Sequence, residues 1–175
     1  MKKLRVLSVF GTRPEAIKMI PLVRELARQE AFESLCAVTA QHRQMLDSVL
    51  DIFGLKPDYE LDIMESRQSL FTITAKALTG MEGVLAAAKP DLVLVHGDTS
   101  TTFVGALAAF YGKIPVGHVE AGLRTYDKYS PFPEEMNRCL VSRIAALHFC
   151  PTEANVENHG REGDTQGVLA SGNTL

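Results

Sequence analysis

The sequence runs to 175 residues, 46% hydrophobic and 22% charged, with a formal net charge of -3. That size and composition suit one globular domain with a substantial core, and the charge gives no electrostatic reason to expect nucleic acid. No apolar run approaches the roughly 18–20 residues that span a bilayer, so no membrane partner is expected.

After Met1-Lys2-Lys3 the strand-like sequence is broken by Gly11-Thr12-Arg13-Pro14, too soon for a signal peptide. The cytoplasm is the expected compartment. Cys36, Cys139 and Cys150 are odd in number and lack CxxC spacing, which predicts buried free thiols rather than a disulfide frame or a zinc site.

Leu4–Phe10 is a continuous apolar run of strand length, of the kind covered on both faces in parallel sheets. Gly11-Thr12-Arg13-Pro14 then reads as a tight turn into a helix whose face is Ile17, Ile20, Val23 and Ala27. Pro21 falls inside that helix and should bend it. Arg13 and Lys18 stand at the helix's positive end, where phosphate oxygens are well received; the alternative is a pair of solvated cations.

Ser34–Ala40 is the second expected strand. Gln41-His42-Arg43-Gln44 opens a helix that should bury Met45, Leu46, Val49, Leu50 and Phe53 and end at Gly54. The polar quartet either lines a ligand groove or is a solvated helix start. Pro57–Ile63 reads as a weaker extended segment. Ser69–Ala88 reads as a long helix with Leu70, Ile73, Ala77, Met81, Val84 and Ala88 on one face.

Two further apolar runs, Asp91–Val95 and Pro115–Val119, end on His96-Gly97-Asp98 and His118-Val119-Glu120. Between them Asp98, Thr99 and Ser100 are cap residues for a helix expected to bury Phe103, Ala106, Leu107 and Phe110. Asp98 is therefore either a plain N-cap or a group that handles protons. Glu134 and Glu135 open another helix, with Arg138 one turn on, as for an i,i+4 ion pair with Glu134. Ala145–Cys150 is a further strand, Pro151-Thr152 starts a helix toward His159, and Gly167–Ser171 is the last strand.

Strands alternating with helices predict an α/β fold, a doubly wound parallel sheet in one domain spanning residues 1–175. The commonest order seats the first strand beside Asp91–Val95, where ligands bind outside the strands' carboxyl ends. Arg13, Asp98 and Glu120 would then share one rim. Two H-x-acid pairs, His96/Asp98 and His118/Glu120, leave a metallohydrolase as an alternative.

Several stretches closely resemble the non-hydrolysing UDP-N-acetylglucosamine 2-epimerases. They are Val9-Phe10-Gly11-Thr12-Arg13-Pro14-Glu15-Ala16-Ile17-Lys18-Met19, Thr39-Ala40-Gln41-His42-Arg43-Gln44-Met45-Leu46 and Val95-His96-Gly97-Asp98-Thr99. Gly117-His118-Val119-Glu120-Ala121-Gly122-Leu123-Arg124 and Ser130-Pro131-Phe132-Pro133-Glu134-Glu135 follow in the same order and extend the resemblance over nearly the whole chain. Tyr126 stands where that family usually has glycine.

The resemblance implies a glycosyltransferase-B-type architecture of two Rossmann-like domains around a cleft, of which this chain would be the amino-terminal one. It implies interconversion of UDP-GlcNAc and UDP-ManNAc, by elimination and re-addition of UDP, with no NAD or metal. The product would supply ManNAc units for cell-surface polysaccharide. Asp98, Glu120 and Glu134 match the family's functional carboxylates, and Arg13 and Lys18 its substrate-contacting cations. Gln41, Gln44 and Arg67 match a second site, where the substrate acts as an activator. The family's second domain carries a catalytic histidine and most uridine contacts, so this chain alone is expected to fold without turnover. The full-length enzyme is expected to be a homodimer. A glycosyltransferase of the same fold and a non-catalytic nucleotide-sugar sensor are the rival readings.

Overall fold

A computed structural model describes residues 2–39, 43–61, 63 and 68–174, with the backbone alone for Arg43 and Gln44. The first apolar run forms β1 (Leu4–Phe10) over the whole expected stretch. Its side chains alternate between two cores: Leu7 and Val9 join one, Val6 and Phe10 the other. A strand buried on both faces belongs at the centre of a parallel sheet.

The other strands are β2 (Phe32–Val38), β3 (Tyr59–Glu60), β4 (Leu92–His96), β5 (Val116–Val119), β6 (Leu147–Cys150) and β7 (Val168–Ala170). They form one sheet of order β3-β2-β1-β4-β5-β6-β7. Its recorded pairings are all parallel. Strand order reverses between β1 and β4, as the sequence predicts. β2 starts at Phe32 rather than Ser34 because it pairs with β1 from Leu4 onward.

Helices α1 (Arg13–Arg28) and α2 (Arg43–Phe53) cover one face, burying Ala16, Met19, Ile20, Leu46 and Leu50 against Val6, Phe10 and Leu94. On the other face, α3 (Leu70–Ala88), α4 (Ser100–Tyr111) and α5 (Glu134–Ile144) bury Ala77, Met81, Val104 and Val141 against Leu7, Val9 and Val95. Helix α6 (Glu153–Arg161) lies between β6 and β7 in the chain. Ser69 caps α3, and Gly54, at φ 58°, closes α2 while Leu55 N–H reaches back to the Leu50 carbonyl at 2.9 Å.

The expected faces need correction at several points: Ala27 of α1 and Leu70 of α3 are exposed, and α4 and α2 differ further. In α4 the buried residues are small, among them Gly105, Ala106, Ala108 and Ala109, while Phe110 is 59% exposed. A Cβ on Gly105 would lie 3.1 Å from Val95 Cγ1 and 3.3 Å from Val9 Cγ1, so the helix rests close on the sheet there, while Phe103 packs half-buried against the same core. In α2, Met45 is half-exposed and the core contact falls to Leu46, Val49 and Leu50. Helix α3 is also long and apolar enough, by length and composition, to cross a membrane, a possibility that counting uninterrupted runs passes over. Lys76 and Glu82 lie within it, and its Ala77, Met81, Val84 and Ala88 edge is buried in the core.

Candidate active site

Every element near the switch delivers its polar residues to the same edge of the sheet. The β1–α1 turn puts Arg13 at the first position of α1. Its side chain is exposed and makes no ion pair among the described residues. The turn's shape comes from a capping box: Thr12 and Glu15 close the helix start reciprocally. Glu15 is 3% exposed, and its Oε2 accepts from Gly11 N–H at 2.9 Å and Thr12 N–H at 2.7 Å.

Lys18, one turn into α1, is not a solvated cation. Its Nζ pairs with Glu120 Oε2 across the switch. The same oxygen lies 3.4 Å from His96 Nε2, at the end of β4. The His96 imidazole and the Lys18 ammonium hold the Glu120 carboxyl down to about 2, against burial, which pushes it up. Glu120 has φ 61°, in the left-handed region that few non-glycine residues adopt, so the chain leaves β5 under local strain.

Asp98 is not the cap of α4. Thr99 takes that role, its hydroxyl accepting from Thr102 N–H at 3.3 Å. The Asp98 carboxylate is instead gripped by Arg138 from α5, with Nε at 2.9 Å and Nη2 at 2.8 Å from Oδ2. Asn137 Nδ2 donates to the Asp98 carbonyl at 2.8 Å. The predicted pairing of Arg138 with Glu134 is therefore wrong. Its second partner is Glu135 Oε2 at 3.0 Å, while Glu134 is half-buried with no hydrogen bond or ion pair among the described residues. Glu135 is 1% exposed and also accepts from the Thr125 and Tyr126 amides at 3.0 and 2.9 Å. That holds Tyr126 at φ 62°, which explains why glycine suits this position.

His118 takes no part in this surface. It is wholly buried, its Nε2 donates to the Gly97 carbonyl at 2.7 Å, and burial pushes its imidazole down to about 3. Among the described residues no three His, Cys, Asp or Glu side chains gather as a metal would require. Cys36 and Cys150 are buried free thiols, and Cys139 is half-buried.

Gln41 and Arg67, expected in a second site, lie outside the described residues. Gln44 is the second residue of α2, the helix that follows the carboxyl end of β2 in the chain. Sequence reasoning missed Arg138 as the partner of Asp98, since nothing local marks a bond between residues forty apart. It missed Glu15 as well, although the Thr12-x-x-Glu15 spacing was there to read.

The family model described as UDP-N-acetylglucosamine 2-epimerase matches residues 24–175. The chain belongs to this family. A putative UDP-N-acetylglucosamine 2-epimerase of Thermotoga maritima is 60% identical over 172 residues, 98% of this chain and 46% of that protein. The UDP-N-acetylglucosamine 2-epimerase of Bacillus subtilis is 58% identical over 175 residues, 99% of this chain and 46% of that one. The crystal structure of the Neisseria meningitidis UDP-GlcNAc 2-epimerase bound to UDP-GlcNAc superimposes with a TM-score of 0.94 at 54% identity. It is covered to 46%, and this chain to 97%. MurG of Acinetobacter baumannii, at 17% identity and a TM-score of 0.66 over 86% of this chain and 42% of its own, shares the fold alone.

The chain thus spans about half the length of the curated epimerase relatives it matches. Its fold is the Rossmann-like α/β domain of the glycosyltransferase-B type. In this epimerase-family domain the carboxylates lie on the rim at the strands' carboxyl ends, and grooves among the described residues lie elsewhere. One of about 580 Å³ runs between α3 and α4, past Leu78, Leu85, Ala108 and Ile114.

Proposed function

We propose that the complete protein containing this chain interconverts UDP-GlcNAc and UDP-ManNAc by eliminating UDP across C1–C2 and then re-adding it, with a proton returned to C2 on the opposite face. The observation that carries this reading is the Lys18–Glu120–His96 cluster beside Asp98–Arg138 at the switch point. Elimination removes a proton from C2, forms the C1–C2 double bond and expels UDP with the C1–O bonding pair. A carboxylate must take that proton, and cations must meet the diphosphate as its charge grows.

Both needs are met on this rim. Arg13 makes no ion pair among the described residues and stands at the positive end of α1, and Lys18 has a flexible four-carbon stem. Held by Lys18 and His96, Glu120 is a weak base. A diphosphate that draws Lys18 away would raise its basicity as substrate arrives, coupling binding to proton abstraction. Asp98, Glu134 and Glu120 are the candidate proton carriers. The rim fits a cleft whose other wall, with a catalytic histidine and the uridine contacts, would come from a second domain; this domain alone would then give no turnover. Gln41, Gln44 and Arg67 would form the activator site. The complete enzyme would be a cytoplasmic homodimer supplying ManNAc units for cell-surface polysaccharide.

Incubating the complete protein with UDP-GlcNAc, without acceptor or nicotinamide, tests the reading by NMR. UDP-ManNAc in equilibrium with UDP-GlcNAc is expected. Transfer only when an acceptor sugar is added would make it a glycosyltransferase, and tight binding without conversion would make it a sensor.

A further inference from the structure

We propose that Glu15 is a positioning residue of this site: its buried carboxylate locks the turn carrying Arg13 to the turn carrying Asp98. It thereby fixes the span between the diphosphate end and the proton-transfer end of the rim. The inference rests on the epimerase reading for its catalytic consequence, but the lock itself is visible in the hydrogen bonds.

A capping box asks its glutamate only to serve the N-cap amide, which Glu15 does at Thr12 N–H. Beyond that it takes the Gly11 amide and, from a residue 84 positions away, the Thr99 hydroxyl at 2.6 Å on Oε1. Thr99 caps α4 and adjoins Asp98. The Thr102 hydroxyl also approaches Oε1, at 3.2 Å, but its single hydrogen goes to the nearer His96 carbonyl at 2.5 Å. One buried side chain thus collects three donors from both sides of the topological switch, and the next hydroxyl in line holds the backbone of His96.

The layer has no slack. The Thr39 and Thr101 hydroxyls bond each other at 2.7 Å just beneath, and a Cβ on Gly11 would collide with both. Glu15 lies under the rim rather than on it, so it acts through Arg13, Asp98 and His96. A displacement of about 1 Å between reacting groups costs about 100-fold in rate.

The test is Glu15→Gln in the complete protein. The amide keeps the shape but loses the charge: its oxygen serves the two backbone amides and its NH2 must donate to the Thr99 hydroxyl, so the charge-assisted cross-link is replaced by a weaker neutral one. The expected result is a kcat about 10- to 100-fold lower, KM for UDP-GlcNAc within about threefold, and a thermal midpoint within a few degrees. Unchanged kcat would overturn the proposal, as would a loss of kcat that tracks loss of folded protein. If Glu15→Gln does not fold, Thr99→Val removes the same cross-link from the other end and should lower kcat, with Thr99→Ser restoring most of it; a fully active Thr99→Val also overturns it. Lack of turnover by the unaltered protein would contradict the epimerase reading instead. The lock is then judged by the Arg13–Asp98 separation in a crystal structure of Thr99→Val, which must change if the proposal holds and overturns it if it does not.

Discussion

His96-Gly97-Asp98 and His118-Val119-Glu120 share one spacing on adjacent strands, yet the fold treats them oppositely. Val95 pairs with His118 and His96 with Val119, so the two motifs are offset by one residue. In a strand that offset sends equivalent side chains to opposite faces. His96 falls on the face of Leu94 and Val119, which α1 covers, and meets Lys18 and Glu120 there. His118 falls on the face of Val95, beneath the helices of the other layer, and becomes a structural donor to Gly97. The acids differ in the same way. Asp98 is fixed by a guanidinium that Glu135 anchors, whereas Glu120 is held by a lysine on a flexible stem. One motif sequence therefore yields one fixed and one releasable carboxylate, and strand register, not the motif, decides which histidine serves the site.

The largest effects should come from removing the acids. In the complete enzyme, Asp98→Asn and Glu120→Gln should each lower kcat by about 10²- to 10⁴-fold while the protein stays folded at the assay temperature. Asp98 is no cap, so its loss should not unfold α4; a variant with near-normal turnover would remove that acid from the mechanism.

Next comes the fixed pair. Arg138→Leu leaves Asp98 and the nearly inaccessible Glu135 without their cation, and urea unfolding should show a loss of about 3 kcal/mol. A loss below about 1 kcal/mol would mean that Asp98 is not gripped as described.

The structural histidine is read through pH. Burial lowers His118 to about 3 and His148 to about 4, so between pH 6.5 and those values the unfolded chain binds more protons than the folded one. Stability should fall with pH across that window, by about 1.4 kcal/mol per pH unit per proton. His118→Gln should remove about one proton from the slope. Below about pH 4.5 the depressed Glu120 adds loss of the same sign down to about 2, which Glu120→Gln should flatten. The smallest effect concerns thiols: burial pushes Cys36 up to about 12 and Cys150 to about 11, so neither should react with a disulfide reagent at pH 8 unless the protein unfolds.

What the sequence showed plainly was whatever is local. The apolar run Leu4–Phe10 marks β1, Ser69 and Gly54 mark helix ends, and strand–helix alternation leads to the switch between β1 and β4. Hence Arg13, Asp98 and Glu120 could be placed on one edge. Contacts that depend on how closely layers approach were not legible. Phe110 looks like core by spacing, but α4 rests on Gly105 and its alanines. Arg138 looks like a partner for Glu134, but its reach to Asp98 depends on how α5 docks beside the β4 turn. Tyr126 could be recognised as out of place, while its left-handed conformation rests on the buried carboxylate of Glu135, nine residues further on.

The most direct test of the two-carboxylate rim is deuterium incorporation at sugar C2. The complete enzyme in deuterated water with UDP-GlcNAc should place deuterium at C2 of both sugars as they equilibrate. Glu120→Gln and Asp98→Asn should each suppress that exchange by at least about 100-fold while still binding UDP. Exchange at the unaltered rate in both variants would show that the C2 proton leaves by another route and that this rim is not where the reaction occurs.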